Sequence, residues 1–187
     1  MLKTYKGMQN IHNIIIAEEN SEMHVITGCA APSHLETALH LGITEFYIKK
    51  NAKLTFTMIH KWSRGTVVKP RSAAILEEGA VFINNYIVLS PVGEIQTFPT
   101  VYLRGKRAKA DLYSVVYGSG NSIYDIGGRI VAEAKNTGGK VVSRAVAADK
   151  SKIYTRGHLV GKSPGTRAHL ECNGCLLYTS PSPRDLS

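Results

Sequence analysis

Between Glu45 and Cys172, apolar and polar residues alternate in short runs, and the runs themselves recur. Five segments align: EFYIKKNAKLTFTMI from Glu45, SAAILEEGAVFINNYIV from Ser72, TVYLRGKRAKADLYSVV from Thr100, GRIVAEAKNTGGKVVSRAV from Gly128 and RGHLVGKSPGTRAHLEC from Arg156. Each reads as an apolar strand, a polar turn, a small residue and a second strand. Their starts lie 27 to 28 residues apart. The small residue recurs as Ala52, Ala80, Ala108, Gly139 and Ala168, and an earlier copy, NIIIAEENSEMHVITG, puts Ser21 there. Beyond that residue the period is two. Ala52, Leu54, Phe56 and Met58 share one face, while Lys53, Thr55 and Thr57 share the other. No long 3.6-residue period is present, and His34 to Leu41 reads as a helical turn or an irregular loop. Short strands at a fixed period, without crossover helices, bury their apolar faces only against the next copy. The expected fold is all-β, a parallel β-helix or closely related β-solenoid of about six coils of roughly 28 residues. An antiparallel sandwich is the alternative, but its turn signals would come more often.

That register makes a map. Cys29 lies eight residues after Ser21, and His60 lies eight after Ala52, so the two are expected to be neighbours in one inward column. Cys172 lies four residues after Ala168 and is expected to stack on Ser143, Leu112, Asn84, Phe56 and Val25. Five coil steps separate Cys29 from Cys172, or about 24 Å along the axis at about 4.8 Å per step. A zinc–thiolate bond is about 2.3 Å. The two thiols therefore cannot share one mononuclear site in a single chain: they are inert, act separately, or are joined by a path or a second chain. On this map both lie inside. His169 and Glu171 alternate with Cys172 and are expected to face outward.

Composition changes this picture little. The 187 residues suit one domain with a substantial core. No apolar run of 18 residues exists, and the N-terminus shows no signal-type apolar region. The net charge of +9 comes from scattered Lys and Arg. It reads as a solvated surface rather than a nucleic-acid footprint, which would need a basic helix or an aromatic-basic stripe. Near its end the sequence carries Cys172-Asn-Gly-Cys175, spaced like a redox or metal motif. Yet CLLYTSPSPRD closely resembles a translated transposase-end sequencing adapter. Residues 175–187 are therefore expected to be a non-native tail, residues 10–174 the domain and residues 1–9 a lead-in, with the domain cut short. Without Cys175, two cysteines are too few for a disulfide framework and fit a reducing cytosol.

Other motifs fade on inspection. GHLVGKS from Gly157 is one residue short of a phosphate loop and continues into Pro164-Gly165 instead of a helix. YGSGNSI from Tyr117 is a turn. His24, His40 and His158 read as structural, and Glu18-Glu19 and Glu77-Glu78 as solvated turns. No Ser-His-Asp order or catalytic carboxylate pair is present. Imidazole and thiolate both ligate iron, so Cys29 beside His60 and the separate Cys172 remain the chemical candidates.

Two stretches resemble a known family: HVITGCAAPSHLETALHLGITEFYIKKNAKLTFTMIHKW from His24 and RGHLVGKSPGTRAHLECNG from Arg156. They are similar to the SufB/SufD core family of iron–sulfur assembly proteins, most closely to the short archaeal and anaerobe members. The resemblance covers about Asn10 to Gly174. It implies a right-handed parallel β-helix in the cytoplasm that builds a transient iron–sulfur cluster for apo-protein acceptors. It also implies a second SufB/SufD-type subunit, a SufC-type ABC ATPase and a sulfur donor protein, with no enzyme activity of its own and no nucleic acid or membrane partner. By the same resemblance, Cys172 is the assembly cysteine, with His169 and Glu171 as further candidate ligands. Cys29 is a sulfur entry point, and His60 and Trp62 line the path between. Lys61 stands where the family usually has Asn, and Pro70 where many SufB members have Lys, so SufB and SufD roles both stay open, as does flavin use. The family's C-terminal His and acidic residue, and the helices that hold the ATPase, have no counterpart here. Carbohydrate-active and nucleic-acid-binding solenoids are the rival readings.

Overall fold

The computed structural model describes residues 6–30 and 37–177. Thirteen strands make up the regular structure among these residues. They are β1 (Lys6–Ala17), β2 (Glu22–Ala30), β3 (Thr37–Ile48), β4 (Lys53–Lys61), β5 (Thr66–Leu76), β6 (Val81–Val88), β7 (Glu94–Gln96), β8 (Thr100–Leu103), β9 (Lys109–Gly118), β10 (Ile123–Ala132), β11 (Gly138–Ala148), β12 (Lys152–Gly161) and β13 (Arg167–Leu177). One sheet runs β1-β3-β5-β7-β10-β12, with β8 beside β7 on the same rung; the other runs β13-β11-β9-β6-β4-β2. Every pairing is parallel. The chain is thus a β-solenoid of about six turns, alternating between two sheets at a spacing of about 29 residues.

Each coil turns from the first sheet to the second at a similar tight corner. An amide closes it by donating to a carbonyl three residues back: Ala52 to Lys49 at 3.0 Å, Ala80 to Glu77 at 3.2 Å and Ala108 to Gly105 at 3.3 Å. In the last two coils Thr137 and Thr166 occupy this position, and their hydroxyls donate to Ala134 and Ser163 at 3.1 and 2.8 Å. The corner column is therefore Ser21, Ala52, Ala80, Ala108, Thr137 and Thr166, not the one expected through Gly139 and Ala168. Smallness was the wrong criterion, because a Thr hydroxyl closes this turn as well as a methyl fits it. The consequence is a two-residue slip. Cys172 pairs with Ser143 as expected, but Ser143 pairs with Ser114, not Leu112. The column continues through Tyr86, Met58 and Thr27, not Asn84, Phe56 and Val25. Thr37–Leu41, read as a helical turn or loop, is the start of β3; His34 to Glu36 lie outside the described residues.

The interior is packed at its two edges and carries polar side chains among apolar ones between them. Near the corner, Phe46, Leu54, Phe56, Phe82 and Leu103 form one buried cluster. At the return side, Trp62, Val68, Ile95, Tyr124 and Ile126 form another. Burying each such side chain stabilises the fold by about 1.5–3 kcal/mol. Between the clusters the inward positions are Thr44, Ser72, Asn84, Ser114 and Ser143, and they line an internal cavity of about 50 Å³.

A candidate sulfur path through the bore

Cys29 and His60 are paired residues on β2 and β4. Both share an inward orientation, because parallel partners present side chains to the same face. Cys29 is half-buried and packs against the return-side cluster. Burial pushes its thiol pKa up. His60 is 3% exposed, and neither ring nitrogen has a hydrogen-bond partner. Its ring stacks on Trp62 at 5.4 Å and leans on Tyr86 at 4.9 Å. Burial, with His40 nearby as a smaller cause, lowers the His60 pKa to about 3. The imidazole is neutral at physiological pH.

His40, which the sequence marked only as structural, belongs here too. Its ring lies 4.8 Å from Trp62, and its Nδ1 is 3.0 Å from Gln9 Oε1. Tyr86 is a second residue that sequence reasoning missed. Its hydroxyl is fully enclosed and unpartnered, and burial raises its pKa. The signal for Tyr86 was present in its aromatic side chain at an inward offset, but the slipped column hid it. Trp62 Nε1 is likewise buried without a partner.

Two spaces meet at these residues. An open-mouthed chamber of about 360 Å³ holds Gln9, Asn13, Thr27, Cys29 and His40. The internal cavity lies deeper and holds Asn84, Tyr86, Ser114 and Ser143. Thr44, Met58, His60 and Pro70 line both, so they form the wall between them. The Ser114 hydroxyl donates to Ser143 at 3.0 Å, and the next rung after Ser143 is Cys172. Cys29 and Cys172 thus stand on neighbouring inward columns of one sheet, five rungs apart, or about 24 Å.

Cys172 is not inside, as expected, but exposed. It keeps its inward orientation on β13, but among the described residues no strand stacks on β13 to cover it. Its neighbours His169 and Glu171 alternate with it and are on the opposite face. There His169 Nε2 lies 3.3 Å from Glu171 Oε2, and the Asn173 amide donates to Glu171 Oε1 at 2.7 Å. The contact with His169 is the main reason the Glu171 carboxyl titrates low. Among the described residues no group of three or more His, Cys, Asp or Glu is poised to hold a metal ion. Cys175 also lies on β13, paired with Val146. Three residues apart on one strand, Cys172 and Cys175 point to opposite faces with about 10 Å between their backbones, so they are not a chelating pair.

A family model described as SUF system FeS cluster assembly, SufBD core domain, matches residues 1–181. The chain belongs to the SufBD core family. Its relatives include an iron-sulfur cluster assembly SufBD family protein of Methanothermobacter thermautotrophicus, 47% identical over 170 residues, covering 91% of this chain and 42% of that protein. A second, from Archaeoglobus fulgidus, is 46% identical over 173 residues, covering 92% of the chain and 46% of the relative. A bacterial one from Staphylococcus aureus is 28% identical over 169 residues, covering 88% and 36%. The chain therefore spans less than half the length of these SufBD proteins. Membership ties it to iron–sulfur cluster assembly.

Proposed function

We propose that this chain is a scaffold, not an enzyme: it accepts sulfur at Cys29, passes it through the bore and builds a nascent iron–sulfur cluster on the Cys172 thiolate for transfer to apo-proteins. The single observation carrying this reading is the arrangement of the two cysteines, five rungs apart on adjacent inward columns, with a small cavity between. They are two ends of one passage, not one ligand set. His60 lines the passage near Cys29, with Trp62 stacked behind it. His169 and Glu171, on the far face of β13, join the cluster site only through a second SufB/SufD-type subunit or a further segment that wraps the edge. A SufC-type ABC ATPase supplies the energy, and a sulfur donor protein loads Cys29. The work takes place in the cytoplasm, where the free thiols stay reduced.

The test is anaerobic reconstitution with ferrous iron, followed by visible absorbance. Cys172→Ser is expected to abolish the cluster bands with any sulfur source. Cys29→Ser is expected to abolish them with a persulfide donor and to leave them intact with free sulfide. Unchanged absorbance in Cys172→Ser overturns the assignment.

A further inference from the structure

Sulfur that reaches Cys29 finds no thiol to land on before Cys172. Among the described residues the cysteines are Cys29, Cys172 and Cys175, and the cavity wall between the first two carries only the Met58 thioether. A thioether has no proton to exchange and forms no persulfide. Direct exchange also fails on distance. A disulfide tolerates Cα atoms up to about 7 Å apart. One inserted sulfur, at an S–S bond of about 2 Å, stretches that to about 9 Å. The rungs leave about 24 Å.

The passage is small and uncharged. The deeper part, about 50 Å³, has room for a few water-sized molecules. Its one charged wall residue, Arg71, is exposed and turns its guanidinium to Gln96 and the Pro70 carbonyl. Moving an ion into such a space is strongly unfavourable, so a small neutral molecule is the guest it admits.

We infer that sulfur crosses the bore as free dihydrogen sulfide, released from a Cys29 hydropersulfide by external thiols. This rests on the relay reading above. In the release step a thiol attacks Cys29 Sγ. The S–S bond breaks, and the outer sulfur leaves as hydrosulfide and takes up a proton. A second thiol then attacks the mixed disulfide and frees Cys29. In sum, one hydropersulfide and two thiols give one Cys29 thiol, one disulfide and one dihydrogen sulfide. The sulfane sulfur gains two electrons, and the two thiols lose them. A hydrated ferrous ion fits neither the size nor the charge of the passage and reaches Cys172 from its exposed side.

The test reads sulfide at the far end. In the Cys175→Ser chain, Cys172 is capped with a maleimide-linked aryl azide, which sulfide reduces to a fluorescent amine. Cys29 is then loaded from glutathione persulfide. Glutathione is added together with a sulfide-binding haem protein too large for the bore. Fluorescence is expected only when both the persulfide and glutathione are present. Ser114→Leu and Ser143→Leu, which fill the passage, are expected to slow it about tenfold, equivalent to about 1.4 kcal/mol of added barrier, with Cys29 loading unchanged. Met58→Ala, which thins the shared wall, is expected to speed it. No signal from the intact chain, equal rates in all variants, or persulfide on an uncapped Cys172 without glutathione overturns the inference. Failure of the relay itself shows separately, as intact cluster bands in Cys172→Ser.

Discussion

His60 carries two unpartnered ring nitrogens inside the bore, and that governs how the protein answers acid. The folded chain keeps the ring neutral down to about pH 3, whereas an unfolded His protonates near 6.5. Below about 6.5 the unfolded state therefore binds a proton that the folded state refuses, and stability falls as pH falls through that window. His40, also lowered by burial, acts in the same direction. Cys29 and Tyr86 face the same space, and both are shifted up, so neither ionises in acid. Well below 6.5 the His60 contribution amounts to about 1.4 kcal/mol per pH unit. His60→Gln is expected to flatten urea midpoints between pH 7 and 4.5 relative to the parent chain. An equally steep loss in the variant would show that the ring is not the origin.

At the scale of elements, the corner between the two sheets decides register. At this corner one residue in each coil has a positive φ: Asn20 at 59°, Asn51 at 56°, Gly79 at 67°, Arg107 at 62°, Asn136 at 59° and Gly165 at 74°. Stacked beside them the charges alternate: Lys49 meets Glu77 at 3.2 Å, Arg107 meets Glu78 at 2.8 Å and Lys162 meets Glu133 at 3.1 Å. Each exposed pair contributes only about 0.2–1 kcal/mol, but a slipped coil would set like charges together. The left-handed backbone is the larger constraint. A Cβ on Gly79 would lie 2.4 Å from Asn51 Oδ1, so Gly79→Ala is expected to cost about 1–2 kcal/mol for the backbone conformation alone, and more for the clash. Gly79→Asn should cost less of the backbone share, since Asn holds three equivalent corners. Chemical denaturation of the two variants makes the comparison, and equal losses would point to the clash alone. The same corner explains what was legible in the sequence. Period-two alternation reports burial directly, so the coils and the Cys29–His60 pair could be read from Ser21 and Ala52. The corner tolerates Ala, Ser and Thr alike, so a search for small residues settled on Gly139 and Ala168, and the whole column under Cys172 shifted by two. His40 was missed for another reason: its strand begins beside residues of ambiguous pattern.

Across the whole molecule, the two ends of the bore differ, and thiol chemistry reads that difference. Cys29 sits half-buried in a chamber walled by His40 and His60, and burial raises its pKa. Cys172 and Cys175 stand exposed on β13, the outermost strand of its sheet among the described residues. Alkylation proceeds through the thiolate, so a raised pKa and a narrow approach both slow Cys29. Limiting iodoacetamide at pH 8, followed by peptide mass spectrometry, is expected to modify Cys172 and Cys175 before Cys29. Raising the pH should narrow the gap, because it restores the Cys29 thiolate but cannot widen the chamber. If Cys29 reacts first, its burial and raised pKa do not govern thiol reactivity in this protein.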